Sequence, residues 1–184
     1  RGRSTGAYFE MRSIGIREAI DPVILKRSFD DLIKRYDIFR TIFVYENIKE
    51  PRQVVLQERE AHVHYEDISH MDREEQDRFL ENYKTTQKQT GFDLSRDLLM
   101  RVGVFKRADD HTTLVWSFHH ILMDGWCFSI VLREMIGMYR SRVSGESLRL
   151  EPVTPYRDYV RWLERQDKEA GLRFWESYLA DCPP

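Results

Sequence analysis

Hydrophobic and polar positions repeat along the chain with two different periods. A period of two residues predicts strands, and a period of 3.6 residues predicts helices. Runs rich in β-branched and aromatic residues, with apolar side chains at alternate positions, are typical of strands. The predicted strands cover residues 7–16, 41–45, 53–56, 62–65, 98–106 and 112–118. The last two flank a short polar segment, which is the strongest hairpin signal in the chain.

Apolar residues at helical spacing predict five amphipathic helices. They cover residues 22–36, 69–89, 128–142, 156–165 and a segment around 172–179. Asp21-Pro22 and Thr154-Pro155 each pair a capping residue with a proline at the first helical position. Asp72 and Glu75 form a capping-box pattern. Hairpins mixed with helices indicate an α+β fold. We expect α/β layering, in which helices flank a mostly antiparallel or mixed sheet.

Length, charge and cysteine content narrow the class of protein. The 184 residues suit one domain or one lobe of a larger one, and the 33% charged and 41% hydrophobic composition suits a globular fold. A net charge of −2 and the lack of a long apolar run predict neither nucleic-acid nor membrane partners. Cys127 and Cys182 fit no metal spacing or disulfide framework, so a cytoplasmic location is expected.

The segment His119-His120-Ile121-Leu122-Met123-Asp124-Gly125 connects the predicted strand 112–118 to the following helix. Such loops are favoured places for functional side chains. Consecutive residues of an extended segment point to opposite sides, so only one of the two histidines can face a given cleft.

Four interpretations of this loop compete. The simplest is a turn whose histidines are merely packed or solvated. A metal site is disfavoured because adjacent histidines diverge and no third nitrogen or sulfur ligand is nearby. A serine hydrolase would need a Gly-x-Ser-x-Gly elbow, which the chain lacks. The fourth is a general base working without a protein nucleophile, for which a neutral imidazole is suited near neutral pH.

A family resemblance favours the fourth interpretation. The loop resembles the His-His-x-x-x-Asp-Gly signature of the condensation domains of nonribosomal peptide synthetases, which belong to the chloramphenicol acetyltransferase-like superfamily. Residues 35–43 are similar to the family's Arg-His-Glu-x-Leu-Arg-Thr-x-Phe motif, and residues 156–162 to its Tyr-x-Asp-Tyr-x-x-Trp motif. Residues 91–96 are similar to its Pro-Phe-Asp-Leu segment. These motifs occur in the family's order.

Within the motifs, Cys127 stands where the family commonly has a serine, and Tyr36-Asp37 replaces its usual His-Glu. The larger departures from the family pattern concern both ends of the chain. The opening Ser-x-x-Gln motif and the motifs of the second half are not found, and the ends at Arg1 and Pro184 look cut. We therefore expect residues 1–184 to be the N-terminal lobe of a condensation domain, with the C-terminal lobe missing and the isolated chain inactive. The face that meets the second lobe would then be exposed and apolar.

The resemblance implies amide formation between substrates on donor and acceptor peptidyl carrier proteins, beside an adjacent adenylation domain. No cofactor would bind directly, because phosphopantetheine arms of the carriers deliver the substrates. His120 would act as a base or positioning residue, and His119 would pack under the loop. Asp124 would be a second base or, as we favour, a structural residue paired with an arginine; Arg40 is one candidate, and the missing lobe is another source. The amide of Gly125 could stabilise the oxyanion.

The remaining motif residues are expected to be structural. They are Arg35, Arg40, Tyr156, Asp158 and Trp162. The charged helix from Asp72 to Lys88 is interpreted as a solvated face, with carrier docking there as the weaker alternative. An epimerising relative and a non-catalytic recruitment platform remain alternative functions, whereas a cyclising relative is disfavoured because it replaces the histidines with aspartates.

Overall fold

The computed structural model describes residues 8–182. Its strands are β1 (Phe9–Ile16), β2 (Thr41–Val44), β3 (Arg52–Val55), β4 (Val63–Asp67), β5 (Met100–Ala108) and β6 (His111–His119). Its helices are α1 (Pro22–Arg35), α2 (Arg73–Thr90), α3 (Gly125–Ser144), α4 (Tyr156–Glu164) and α5 (Lys168–Tyr178), and a 3-10 turn covers Asp37–Arg40. Among the described residues, no helix combines the length and the apolar character needed to cross a membrane.

Four strands form a mixed sheet in the order β1-β6-β5-β4. Strand β6 pairs antiparallel with both β1 and β5, while β4 joins β5 in parallel. The predicted hairpin is confirmed, since Ala108 pairs with His111 across a turn of two aspartates. Strands β2 and β3 form a separate two-stranded antiparallel sheet.

The sheet lies between two helical layers. Alternate residues of β6, such as Trp116 and Phe118, face a large core shared with α1 and α3. Val115 faces the opposite way, toward Leu80 of α2 and Phe105 of β5. Burial on both sides explains why Leu114, Val115 and Trp116 follow one another in β6 without a polar residue between them. The predicted α/β layered fold is therefore confirmed.

Most predicted ends of helices α1 to α3 are confirmed, and the starts of α2 and α3 are corrected. Asp21 accepts hydrogen bonds from the first turn of α1, and Asp72 and Glu75 form the predicted capping box. Helix α2 begins after Asp72, so residues 69–72 lie outside it. Helix α3 begins at Gly125, three residues earlier than predicted, because Asp124 caps it. Ala7, the predicted start of the first strand, lies outside the described residues.

The chain divides into two compact units between Pro152 and Val153. The second unit contains α4 and α5. The predicted Thr154 cap is wrong, because Pro155 occupies the N-cap position of α4 and no side chain caps that helix. Asp167 caps α5 by accepting a hydrogen bond from the amide of Ala170.

Candidate active site

The loop between β6 and α3 is fixed by backbone hydrogen bonds to the neighbouring strands. The amide of His119 donates to the carbonyl of Leu99 at 2.9 Å, and the amide of His120 donates to the carbonyl of Tyr8 at 2.7 Å. Leu99 and Tyr8 immediately precede β5 and β1. The chain therefore leaves the sheet at a point held from both sides, which makes the placement of the two histidines rigid.

The two histidines have opposite environments, as their adjacency predicted. His119 is 5% exposed, whereas His120 is exposed. Nδ1 of His119 accepts a hydrogen bond from the amide of Ile121 at 3.1 Å, so the neutral ring carries its proton on Nε2. Burial, and then the proximity of His120, lower the pKa of His119. His119 is thus a neutral residue under the loop, and His120 is the one that presents its imidazole to solvent.

Asp124 is the N-cap of α3 and is not bound to Arg40, which was one of the candidate partners. Its Oδ1 accepts the amide of Cys127 at 2.8 Å, and this hydrogen bond is the main reason why the pKa of Asp124 is lowered. The short distance along the chain favours this local bond, because the carboxylate lies beside the free amides of the first helical turn. Asp124 itself is exposed. Its structural role in this chain is therefore to begin α3.

Arg40 is used elsewhere, in the 3-10 turn that follows α1. Its guanidinium lies 2.6 Å from the carboxylate of Asp37 and donates to the carbonyls of Leu56, at 2.7 Å, and Ile33, at 3.2 Å. Its side chain is only 15% exposed. Arg40 thus joins the end of α1 to the segment after β3, and its expected structural role is visible in these contacts.

Gly125 and Cys127 occupy the first turn of α3. A Cβ atom added to Gly125 would meet nothing within 4 Å, so the space where a side chain would begin is open. Partial desolvation, followed by the carboxylate of Asp124, raises the pKa of the Cys127 thiol. A thiol shifted in this direction is not an activated nucleophile. The site therefore offers an imidazole and helix-terminal amides rather than a protein nucleophile.

Sequence reasoning missed Glu134, the polar centre of the contact between α1 and α3. Its carboxylate accepts two hydrogen bonds from Arg35, at 2.9 and 3.3 Å, and one from the hydroxyl of Tyr36 at 2.8 Å. Arg35 also donates to the carbonyl of Glu151. Glu134 is about a hundred positions from its partners on α1, so no local pattern could have identified it.

The other predicted motif residues lie in α4, within the second compact unit. Trp162 stacks on Tyr159 with ring centroids 5.8 Å apart, and Tyr159 in turn contacts Tyr156 at 5.7 Å. The carboxylate of Asp158 lies 3.8 Å from the guanidinium of Arg161. The aromatic contacts run along one side of α4, none of whose residues is buried. The structural role expected of Tyr156, Asp158 and Trp162 stays a prediction.

A groove of about 460 Å³ lies on the α2 side of the sheet and is separate from the loop. It is lined by Ser13, Gly15, Asp77, Leu80, Glu81, Lys84, Arg107, His111 and Thr113. None of these residues belongs to the loop. The candidate site is thus the exposed surface formed by His120, Asp124 and Gly125, and this groove is not part of it.

Comparison with known proteins identifies relatives of the whole chain. A family model described as "Condensation domain" matches residues 2–184. Gramicidin S synthase 2 of Brevibacillus brevis is 44% identical over 177 residues, which are 96% of this chain and 4% of that protein. Bacitracin synthase 1 of Bacillus licheniformis is 42% identical over 177 residues, which are 96% of this chain and 3% of that protein. The chain therefore spans a small part of these relatives.

Solved structures share the fold at low sequence identity. The starter condensation domain of rhizomide synthetase RzmA has a TM-score of 0.83 at 16% identity, covering 98% of this chain and 45% of that one. The EpoB NRPS cyclization-docking bidomain from Sorangium cellulosum has a TM-score of 0.80 at 22% identity, and the match covers 98% of this chain and 36% of that one. These likenesses confirm that the chain has the fold seen in condensation-domain structures.

Proposed function

Because the chain belongs to the condensation-domain family of nonribosomal peptide synthetases, we propose that the loop from His119 to Gly125 forms part of the site that joins two carrier-bound substrates by an amide bond. The observation that carries this proposal is the pairing of an exposed His120 with a buried, neutral His119 on a rigid loop. This arrangement provides one imidazole that can exchange protons with a substrate and one that holds the loop.

The proposed reaction forms a C–N bond and breaks a C–S bond. The amine of the acceptor aminoacyl group attacks the thioester carbonyl of the donor, giving a tetrahedral intermediate that collapses and expels the pantetheine thiol. The attacking nitrogen loses one proton, and the departing sulfur gains one. His120 takes the proton from nitrogen or positions the amine, which is the kind of step that general-base catalysis accelerates by about 10²–10⁴-fold.

Asp124 and Gly125 support this chemistry through the start of α3. Helix N-termini stabilise developing negative charge through their free amides. The amide of Gly125 is in this position, and a Cβ built on this glycine would meet nothing within 4 Å. Asp124 fixes the first turn of the helix by its bond to Cys127. We assign Asp124 a structural role and Gly125 a role in oxyanion stabilisation.

The site is completed, in this proposal, by parts that the chain does not contain. Residues 1–184 act as the N-terminal lobe, and a C-terminal lobe provides the opposite wall. Donor and acceptor carrier proteins bring their substrates on phosphopantetheine arms, an adenylation domain lies next to the condensation domain, and the chain alone is inactive. The free thiols of Cys127 and Cys182 suit a cytoplasmic location.

The test is a single-turnover assay with two loaded carrier proteins, using a protein that carries this chain together with the rest of its condensation domain. His120→Ala should lower the rate of peptide formation by about 10²–10⁴-fold. It should leave the unfolding temperature unchanged, because the His120 side chain is exposed. His70→Ala, which removes another exposed histidine, is the matched control.

A near wild-type rate for His120→Ala would refute the assigned role. Product analysis in the same assay separates the alternative functions. A product with an inverted stereocentre and no new amide bond would indicate epimerisation, and carrier binding without any product would indicate a recruitment platform.

A further inference from the structure

Tyr8, which immediately precedes β1, contacts both histidines of the active-site loop through two different parts of the residue. Its carbonyl oxygen accepts the amide of His120 at 2.7 Å. Its ring lies beside the ring of His119, with centroids 5.9 Å apart and planes inclined by 36°. No other aromatic ring of residues 8–182 pairs with either histidine. None of the sequence motifs includes Tyr8, and it reaches the loop because β1 pairs with β6.

The ring of Tyr8 helps to keep the side chain of His119 out of water. His119 is 5% exposed and Tyr8 is 63% exposed, so the tyrosine lies on the outer side of this contact. Burial favours the neutral imidazole, and it is the main reason why the pKa of His119 is lowered. Only a neutral ring has a lone pair on Nδ1 that can accept the amide of Ile121. Removing the Tyr8 ring should therefore weaken a hydrogen bond that shapes the loop.

Two hydrogen bonds of consecutive amides determine where the imidazole of His120 lies. One joins the amide of His120 to the carbonyl of Tyr8, and the other joins the next amide, that of Ile121, to the side chain of His119. These bonds hold the backbone on both sides of the His120 Cα atom. A displacement of about 1 Å in an active site can lower a rate by about 10²-fold. A contact that supports both bonds therefore matters for catalysis, even though the Tyr8 side chain is largely exposed.

We propose that Tyr8 is a positioning residue for His120: its ring holds the side chain of His119 in place, and its carbonyl holds the backbone of His120. The proposal rests on the function proposed above, because the position of His120 affects the rate only if its imidazole takes part in condensation. The contact with His119 is made by the ring and not by the hydroxyl, so phenylalanine should be able to replace Tyr8.

The test compares three variants of the protein that carries this chain together with the rest of its condensation domain. Tyr8→Ala removes the ring and keeps the carbonyl, whereas Tyr8→Phe keeps both. Tyr45→Ala is the matched control, because it removes another exposed tyrosine that lies next to the end of a strand, β2. The single-turnover rate of condensation is measured over a range of acceptor-carrier concentrations. Hydrogen exchange of the peptide that contains His120 and Ile121 is followed by mass spectrometry, and the unfolding temperature is recorded for each variant.

Tyr8→Ala should lower the rate at saturating carrier about tenfold, leave the half-saturating concentration unchanged and speed the exchange of the loop peptide about tenfold. Its unfolding temperature should fall no further than that of Tyr45→Ala. Tyr8→Phe and Tyr45→Ala should match the unsubstituted protein in rate and in exchange.

An unchanged rate for Tyr8→Ala would overturn the proposal. So would a Tyr8→Phe variant as slow as Tyr8→Ala, because the hydroxyl would then be the group that acts. A higher half-saturating concentration at an unchanged saturating rate would also overturn it, because Tyr8 would then bind substrate. An active His120→Ala variant would instead contradict the proposed function, and the hydrogen-exchange result does not depend on turnover.

Discussion

Removing the carboxylate of Glu134 should destabilise the first compact unit far more than breaking an exposed ion pair between the same helices. The side chains of Arg35 and Glu134 are only 18% and 12% exposed, and the hydroxyl of Tyr36 shares the same carboxylate. Glu134→Ala leaves a desolvated guanidinium and a half-buried hydroxyl without their partner. Breaking a buried ion pair by removing one member costs roughly 3–5 kcal/mol, and the partial exposure places this change near 3 kcal/mol.

The matched control is the ion pair between Asp31 of α1 and Arg142 of α3. It joins the same two helices, but its side chains are 46% and 37% exposed. Exposed pairs contribute about 0–1 kcal/mol. Asp31→Ala should therefore have a small effect. The comparison separates the effect of desolvation from that of linking α1 to α3.

Urea unfolding followed by circular dichroism and tryptophan fluorescence measures both variants. With a slope of about 2 kcal/mol per molar urea, Glu134→Ala should lower the midpoint by about 1.5 M and Asp31→Ala by less than about 0.5 M. The double change of Arg35 and Glu134 to methionine should cost less than Glu134→Ala, since no unpaired charge remains. Equal midpoint shifts for Asp31→Ala and Glu134→Ala would refute the reasoning.

Three further predictions concern the loop and the α2 side of the sheet. Gly103→Ala should lower the free energy of unfolding, measured in urea, by about 1–3 kcal/mol, because the added Cβ would lie 2.7 Å from the Phe105 ring. Gly125→Ala is the control and should not destabilise the fold, because its Cβ would meet nothing within 4 Å. The lowered pKa of His119 means that the unfolded state binds a proton more readily, so stability should fall as pH decreases from about 6.5 through the folded pKa. The variant His119→Asn should lack this part of the pH dependence. Asp124→Ala should lower the urea midpoint only slightly, as the loss of an exposed N-cap does, and leave the protein folded. A midpoint shift as large as that of Glu134→Ala would indicate a partner other than the helix amides.

Local signals in the sequence predicted the elements well because their causes are local. Proline after Asp21 and the Asp72/Glu75 pair fix helix starts through neighbouring amides, and the structure contains both caps. The hairpin was predictable because only five residues, 107–111, separate the two predicted strands, and in the structure the strands extend until a turn of two residues remains. The sheet order β1-β6-β5-β4 was not, because it depends on pairing between segments about a hundred residues apart.

The candidate site shows the same division between local and long-range causes. The opposite orientations of His119 and His120 follow from the alternation of an extended backbone, and the structure confirms them. Of the partners considered for Asp124, Arg40 is wrong, because the carboxylate accepts the amide three residues away, whereas an arginine outside this chain stays a prediction. A local cap requires no loop closure and is formed as soon as the helix starts, so it competes effectively with a distant guanidinium.

The placement of Asp124 links the fold to the proposed chemistry. Since its carboxylate fixes the first turn of α3, it also fixes where the amide of Gly125 and the side chain of Trp126 lie relative to the histidine loop. Strand β6 fixes the other end of the loop through the bonds of His119 and His120 to the neighbouring strands. The imidazole and the helix-terminal amide are therefore positioned by one short connection. A change in the length of this connection should disturb catalysis, because it would move the amide of Gly125 relative to the imidazole of His120.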